Sequence, residues 1–275
     1  MIMKSLSKFW QGLRRGFSIL AILCLFLGAC PSAEALSLST SSSSTSSSST
    51  IDPIESAILN PDRPSNDRLR DADRHPADLL RFCQIEPGMT VADIMAGTGY
   101  YTEILSHLVG TEGQVYLQNE VDGWPWERFF SPQIETRLAN DRLPNVVGLN
   151  SPLELLGLPE KTLDRIILVQ FFHDTVWMGI DRSQFLDQVK NALKPDGLFC
   201  VLDHTAVPGS GESVAKTLHR IDPAIVINTL TQSGFTLDGQ SDAYRNVQDD
   251  RELVVFDSAI RNHTDQFLFR FKLPT

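Results

Sequence analysis

Two glycines one residue apart, Gly97 and Gly99, stand where an apolar run gives way to a helical pattern in "VADIMAGTGYYTEIL", Val91 to Leu105. Glycine at such a handover permits a tight turn and lets backbone N–H groups come close to a ligand. Asp93 lies four residues before the first glycine, near the end of the expected strand. Glu120 ends the next strand, about 20 residues after the turn, where a carboxylate can take both hydroxyls of a ribose. A dinucleotide turn asks for G-x-G-x-x-G, and the third position here is Thr102, behind the bulky Tyr100 and Tyr101. No P-loop lysine follows, which weighs against a nucleoside triphosphate.

A second set of polar residues closes two apolar runs. His173 and Asp174 end "LDRIILVQFFHD", and Asp203 and His204 end "LFCVLDH". If these runs are neighbouring parallel strands, the four side chains converge on one cleft beyond the strand ends. His219, in "HRID", precedes a helix and caps that cleft from above. Plainer roles stand beside these: Asp222 before Pro223 is a good helix N-cap, Asp203 and His204 a buried hydrogen-bonded pair, and His219 an exposed side chain. Of four cysteines, Cys24 and Cys30 lie in the N-terminal apolar segment and Cys83 and Cys200 in the body. No C-x-x-C spacing occurs, so no structural zinc and no metal site are expected, and the body pair reads as two buried free thiols, with a disulfide between them as the alternative in an oxidising compartment.

Elements that alternate between strand and helix must position these groups. "TVADIMA", "GQVYLQNE", "NVVGLN", the "LDRIILVQFFHD" run and "LFCVLDH" read as strands, the fourth apolar enough to have both faces covered. "ADLLRFCQI", "YYTEILSHLV", "RSQFLDQVKNAL" and "IDPAIVINTLTQSG" read as helices, the third stopped by "KPDG". "ERFFSPQIETRLAND" reads as a helix interrupted by Pro132. The aromatic "WPWERFF" reads as surface-helix packing, with a hydrophobic lid as the alternative. "FTLDGQSD" and "QFLFRFKL" close the chain. The alternation argues an α/β fold with a mostly parallel sheet and helices on both faces.

Taken in order, the glycine turn, Glu120, "LDRIILVQFFHD", "LKPDGLFCVLDH", "SGFTL" and the closing strand resemble the class I S-adenosylmethionine-dependent methyltransferases. The resemblance runs from about Ala77 to Leu273. "RHPADLLRF", "GYYTEIL", "DH" and "HRID" together resemble a subgroup of unknown substrate, several of them exported. The resemblance implies a Rossmann-like, seven-stranded sheet with an antiparallel closing strand. It places Asp93, Gly97 and Gly99, with Tyr100 and Thr102, around the methionine part of S-adenosylmethionine. Glu120 would take the ribose and Asn150–Ser151 the adenine, although the aspartate usual after the third strand is absent. His173, Asp174, His204 and His219 are the candidates for the transfer step. No N/D-P-P-Y motif occurs, so methylation of an exocyclic amine is not indicated. The expected function is methyl transfer to a small-molecule acceptor. The alternatives are a binding protein that kept the fold without transfer activity and, disfavoured by Thr102, a nicotinamide-dependent oxidoreductase.

Composition bounds the partners. The 275 residues are 42% apolar, enough for one substantial core. Net charge is −10, and the first 35 residues hold four basic side chains and one acidic, so the body is more acidic still. Nucleic acid, whose phosphates need a basic face, is not an expected partner, and no protein partner is implied. Residues 1–35 read as an export signal: basic residues, an apolar run from Phe17 to Ala29, then a lipoprotein-like "LGAC" ending at Cys30 or an "AEA" cleavage site, with an uncleaved anchor as the third option. "RRGF", Arg14 to Phe17, resembles a twin-arginine core, with an ordinary basic n-region as the alternative. Residues 36–64, with serine and threonine dominating Ser37 to Thr50, read as a flexible linker, and 65–275 as a single domain. The expected location is outside the cytoplasm, periplasmic or tethered to a membrane through the N-terminus.

Overall fold

The computed structural model describes residues 52–120 and 127–274. The expected export signal, the Ser/Thr-rich tract and Trp124–Trp126 lie outside the described residues. Four short helices lead in: α1 (Pro53–Ile58), α2 (Ser65–Arg68), α3 (Asp71–Arg74) and α4 (Pro76–Phe82). Then follow β1 (Thr90–Ile94), α5 (Tyr100–Val109), β2 (Gln114–Asn119), α6 (Glu127–Leu138), β3 (Val146–Asn150) and β4 (Leu163–Val169). The chain continues through α7 (Arg182–Ala192), β5 (Leu193–His204), α8 (Ala215–Leu218), α9 (Pro223–Gln232), β6 (Thr236–Ser241) and β7 (Gln266–Lys272).

The strands form one seven-stranded sheet in the order β3-β2-β1-β4-β5-β7-β6, parallel except that β7 runs antiparallel to both its neighbours. Side chains alternate across the sheet with period two. Ile166, Leu168, Phe199 and Val201 pack on one face with Phe185 and Leu186 of α7 and Val226 and Leu230 of α9. Ile167, Cys200 and Leu202 pack on the other with Leu79 and Leu80 of α4 and Ile104 and Leu105 of α5. That two-sided burial is why β4 and β5 read as continuous apolar runs rather than alternating ones. From β1 the chain winds outward through β2 to β3, then returns to place β4 on the other side of β1. A crevice therefore opens beyond the carboxyl ends of β1 and β4, where the winding reverses.

Four expectations are corrected. The linker does not extend to residue 64: α1 is capped by Asp52, whose side chain accepts from the Ile54 N–H at 2.9 Å, and Ile54, Ala57 and Ile58 are buried in the core. β5 begins earlier than "LFCVLDH": α7 ends before "KPDG" as expected, but those residues join the strand, where Leu193 pairs with Leu163 and the register then shifts. A Cβ on Gly197 would lie 2.9 Å from the Leu163 carbonyl oxygen, so glycine is what lets the two backbones approach. Cys83 and Cys200 are not free thiols: they are joined in a disulfide that ties the end of α4 to β5. Pro132 lies inside a continuous α6 rather than breaking it.

Candidate functional site

A cavity of about 320 Å³ occupies the crevice. One wall is the turn after β1, contributed by Asp93, Met95, Ala96, Gly97 and Thr98. Gly97 and Gly99 both adopt left-handed backbones, with φ of 60° and 79°, as the sequence required of a tight turn. The turn is held from both sides. Gly97 N–H donates to Asn119 Oδ1 at 2.9 Å, and Asn119 Nδ2 returns a bond to the Gly97 carbonyl at 3.0 Å. Arg137 Nε donates to the Thr98 carbonyl at 2.8 Å, while the same guanidinium binds Glu103 and Asp67. Burial alone would raise the Glu103 carboxyl, but hydrogen bonds from Arg142 and His107 and the Arg137 charge bring it down to about 2. The turn thus rests on a buried ion-pair cluster in which Glu103 is held ionised.

Asp93 is buried behind the turn, and that burial lifts its carboxyl to about 6 although Thr102 Oγ1 donates to it at 2.7 Å. Thr102 therefore orients Asp93 and does not itself line the cavity, a correction to its expected cofactor contact. Tyr100 does line it, with its hydroxyl donating to Asp71 at 2.6 Å. Its ring carries the guanidinium groups of Arg70 and Arg74, 4.9 and 5.0 Å from the centroid. Glu120, Asn150 and Ser151 lie outside the lining; Asn119, one residue earlier than Glu120, is the β2 residue that reaches it. Ser151 is engaged locally, its hydroxyl donating to the Leu156 carbonyl at 2.9 Å.

The facing wall joins the four residues singled out after β4, β5 and α8. His173, Asp174, His204 and His219 all line the cavity. His173 N–H donates to Asp203 Oδ2 at 2.8 Å, and its Nδ1 lies 2.7 Å from Asp203 Oδ1. Its Nε2 lies 3.1 Å from Asp174 Oδ1 and 3.2 Å from His219 Nδ1. Burial alone would lower His173, but the Asp203 charge and the Asp174 hydrogen bond raise it to about 10, so it carries both protons at neutral pH. Burial instead lowers His204, whose Nδ1 pairs with Thr264 Oγ1 at 2.8 Å. Burial also lowers His219, with His173 adding to the effect and Asp174 opposing it. An Asp174 carboxylate that accepts from both rings leaves His219 neutral, with Nε2 open as a proton acceptor.

Sequence reasoning missed Arg70, Arg74, Gln170 and Phe256, which complete the lining. The one available signal was the Arg70–Arg74 spacing of four, which places two cations on one side of a helical stretch. Of the aromatic stretch, Phe130 lines the cavity.

The architecture has counterparts. A family model described as protein-L-isoaspartate(D-aspartate) O-methyltransferase matches residues 71–121, from α3 through the glycine turn to the end of β2. A "SAM dependent methyltransferase" from Aquifex aeolicus superposes with TM-score 0.54 at 22% identity, covering 81% of this chain and 99% of its own. The chain shares the fold of this structure. "Ubiquinone/menaquinone biosynthesis C-methyltransferase UbiE" of Teredinibacter turnerae is 26% identical over 187 residues, covering 68% of this chain and 66% of its own. The protein of the same description from Marinomonas sp. is 26% identical over 188 residues, covering 66% of this chain and 63% of its own. The chain thus spans slightly less than two thirds of these relatives' length.

S-adenosylmethionine, which the sequence resemblance implies and the description of the Aquifex aeolicus protein names, carries a carboxylate, an ammonium and a sulfonium. The cavity offers the buried Asp93 carboxylate for cationic groups, Arg70 and Arg74 for an anion, and the close approach of the Gly97 backbone. Its volume lies within the ~300–1,000 Å³ usual for small-molecule sites. These residues fit the amino-acid end of the cofactor; those expected at the adenosine end do not line the cavity.

Proposed function

We propose that the protein transfers the methyl group of S-adenosylmethionine to a small-molecule acceptor. One observation carries this reading: a single cavity is bounded by the glycine turn with Asp93 on one wall and by the His173, Asp174 and His219 cluster on the other. The cofactor supplies an already activated methyl, so the protein's work is alignment and proton handling. Asp93 would face the ammonium, and Arg70 and Arg74 the carboxylate. The acceptor would sit toward the histidines. When bound, the cofactor would supply its methyl carbon to the acceptor's nucleophile and keep the carbon–sulfur electron pair as a neutral thioether. His219 Nε2 takes the acceptor's proton, and Asp203 and Asp174 hold His173 in place beside it.

Export of the chain is part of the same reading, and the Cys83–Cys200 disulfide supports it, since such bonds persist in oxidising compartments. Replacing Arg14 and Arg15 by lysine should then leave the protein in the cytoplasm if the twin-arginine route is used. The deciding experiment is calorimetric titration of S-adenosylmethionine into the purified protein, with Asp93→Ala alongside. Micromolar binding that Asp93→Ala weakens at least tenfold is expected. Absence of binding by folded protein would overturn the reading.

A further inference from the structure

The histidine wall also has the shape of a metal-binding site. His173 Nε2, Asp174 Oδ1 and His219 Nδ1 form a nearly equilateral triangle with sides of 3.1, 3.2 and 3.3 Å. Three donors bound at about 2.0–2.1 Å to one tetrahedral ion lie roughly 3.3–3.4 Å from one another. The same bonds at octahedral right angles would place them about 2.8–3.0 Å apart. The observed triangle therefore lies nearer a tetrahedral set, and it is a set of two imidazoles and one carboxylate.

We infer that His173, Asp174 and His219 bind a first-row divalent transition ion, Zn²⁺ being the first to test, with its remaining coordination position open to the cavity. Imidazole donors select zinc and its neighbours over magnesium or calcium, which prefer all-oxygen sets. The surroundings are those of a built site. His173 is 3% exposed, and its other nitrogen is held by Asp203 Oδ1 at 2.7 Å, the carboxylate–histidine arrangement that fixes a ligand's tautomer and orientation. Trp177 Nε1 donates to Asp174 Oδ1 at 3.0 Å and steadies the carboxylate. His219 is presented by a left-handed backbone, φ 54° and ψ 46°, that ends α8 and carries the ring toward His173. That conformation is unfavourable for a residue with a side chain, so the surrounding structure must hold it. A proton shared among the same three atoms is the competing occupant of the triangle. The ion would face the glycine turn and fix an acceptor oxygen there, in place of proton transfer to His219 Nε2, which carries the ring's hydrogen when Nδ1 binds the ion; that role rests on the methyl-transfer reading, whereas binding of the ion does not.

The test is equilibrium dialysis of the purified, chelator-stripped protein against Zn²⁺, followed by elemental analysis. Titration with Co²⁺ reports geometry through its visible absorption. One ion per chain is expected, with the intense bands of a four- or five-coordinate cobalt site. Asp203→Asn should weaken binding about 10- to 100-fold, and His219→Ala should abolish it, while the exposed His263→Ala leaves it unchanged. Each variant is checked by circular dichroism; if His219→Ala does not fold, Asp174→Asn serves in its place. No stoichiometric ion, or an ion held equally well by the folded His219→Ala or Asp174→Asn protein, would overturn the inference. Neither result depends on whether S-adenosylmethionine binds.

Discussion

Replacing Asp93 by asparagine should make the ligand-free protein more stable at neutral pH while removing its affinity for S-adenosylmethionine. The carboxyl of Asp93 is buried within β1, and burial raises it from its ordinary 3.8 to about 6. At about 1.4 kcal/mol per pH unit, holding that group ionised costs the folded state about 3 kcal/mol above pH 6. The sign follows from the direction of the shift. The folded form binds the proton more tightly than the unfolded chain does, so the contribution is fully present below pH 3.8 and is lost as pH rises through about 6. Asparagine has no such proton. The stability difference, variant minus parent, should therefore grow by about 3 kcal/mol between pH 4 and pH 8. At ~2–4 °C per kcal/mol for a domain of this size, that is roughly 6–12 °C in melting temperature. The amide brings its own cost, because its NH₂ group needs partners, but that cost is the same at both pH values and cancels in the comparison. Thermal melts of both proteins across this range are the assay, with calorimetric titration of S-adenosylmethionine at pH 8. A stability difference that does not change with pH would refute the desolvated-carboxylate account. A variant that binds as the parent does would remove Asp93 from the site.

Two further changes test the fold that carries the site. A chain beginning at Ser65 should lose several kcal/mol of stability or fail to fold, because Ile54, Ile58 and Arg63 are buried; a denaturation midpoint equal to that of a chain beginning at Ser49 would return residues 53–64 to the linker. Cys83 and Cys200 are 117 residues apart in sequence, so mass spectrometry of unreduced peptides should find them linked; the double alanine variant should lose about 2–4 kcal/mol, and alkylation of both thiols in the unreduced folded protein would contradict the bond.

The parts of the molecule governed by local pattern were readable in advance. Apolar runs with helical stretches between them specified the sheet, and the two glycines specified left-handed turns that the backbone does adopt. Asp222 followed by Pro223 marked the start of α9, where the aspartate accepts from the Ala224 N–H at 3.0 Å. The four polar residues at the ends of β4, β5 and α8 converge because parallel neighbours bring their carboxyl ends together. What was not readable depends on reach through space. Thr102 was taken for a ligand contact because it follows the turn, but one helical step past Gly99 its hydroxyl points back to Asp93. Arg70 and Arg74 enter the cavity because the N-terminal helices fold over the strand ends, which no periodicity records. Cys83 and Cys200 meet for a similar reason: α4 happens to lie against the face of β5 that Cys200 shares with Leu202.

The backbone around the cavity also helps to hold its walls. Met95, Gln170 and His219 adopt left-handed conformations with φ of 53°, 56° and 54°, and all three line the cavity. Glycine would occupy these positions at no steric cost, whereas a residue with a Cβ costs about 1–2 kcal/mol. Each is the first residue past an element, β1, β4 and α8 respectively, where a left-handed turn redirects the chain so that a side chain faces the crevice. Their side chains and backbones then join the walls. Met95 N–H donates to Gln118 Oε1 at 3.1 Å and fixes the start of the glycine turn. Gln170 N–H donates to the Leu202 carbonyl at 2.6 Å, its Oε1 receives Arg74 at 3.4 Å, and its Nε2 donates to Gln266 at 3.1 Å. Gln170 thereby couples the arginine side of the cavity to β5 and β7, and hence to the strand that ends in Asp203 and His204. His219 completes the triangle with His173 and Asp174. Among the described residues seven further non-glycine positions have positive φ away from the cavity, so left-handed backbone alone does not mark the site; at Met95, Gln170 and His219 it is the contacts just given that hold the walls in place.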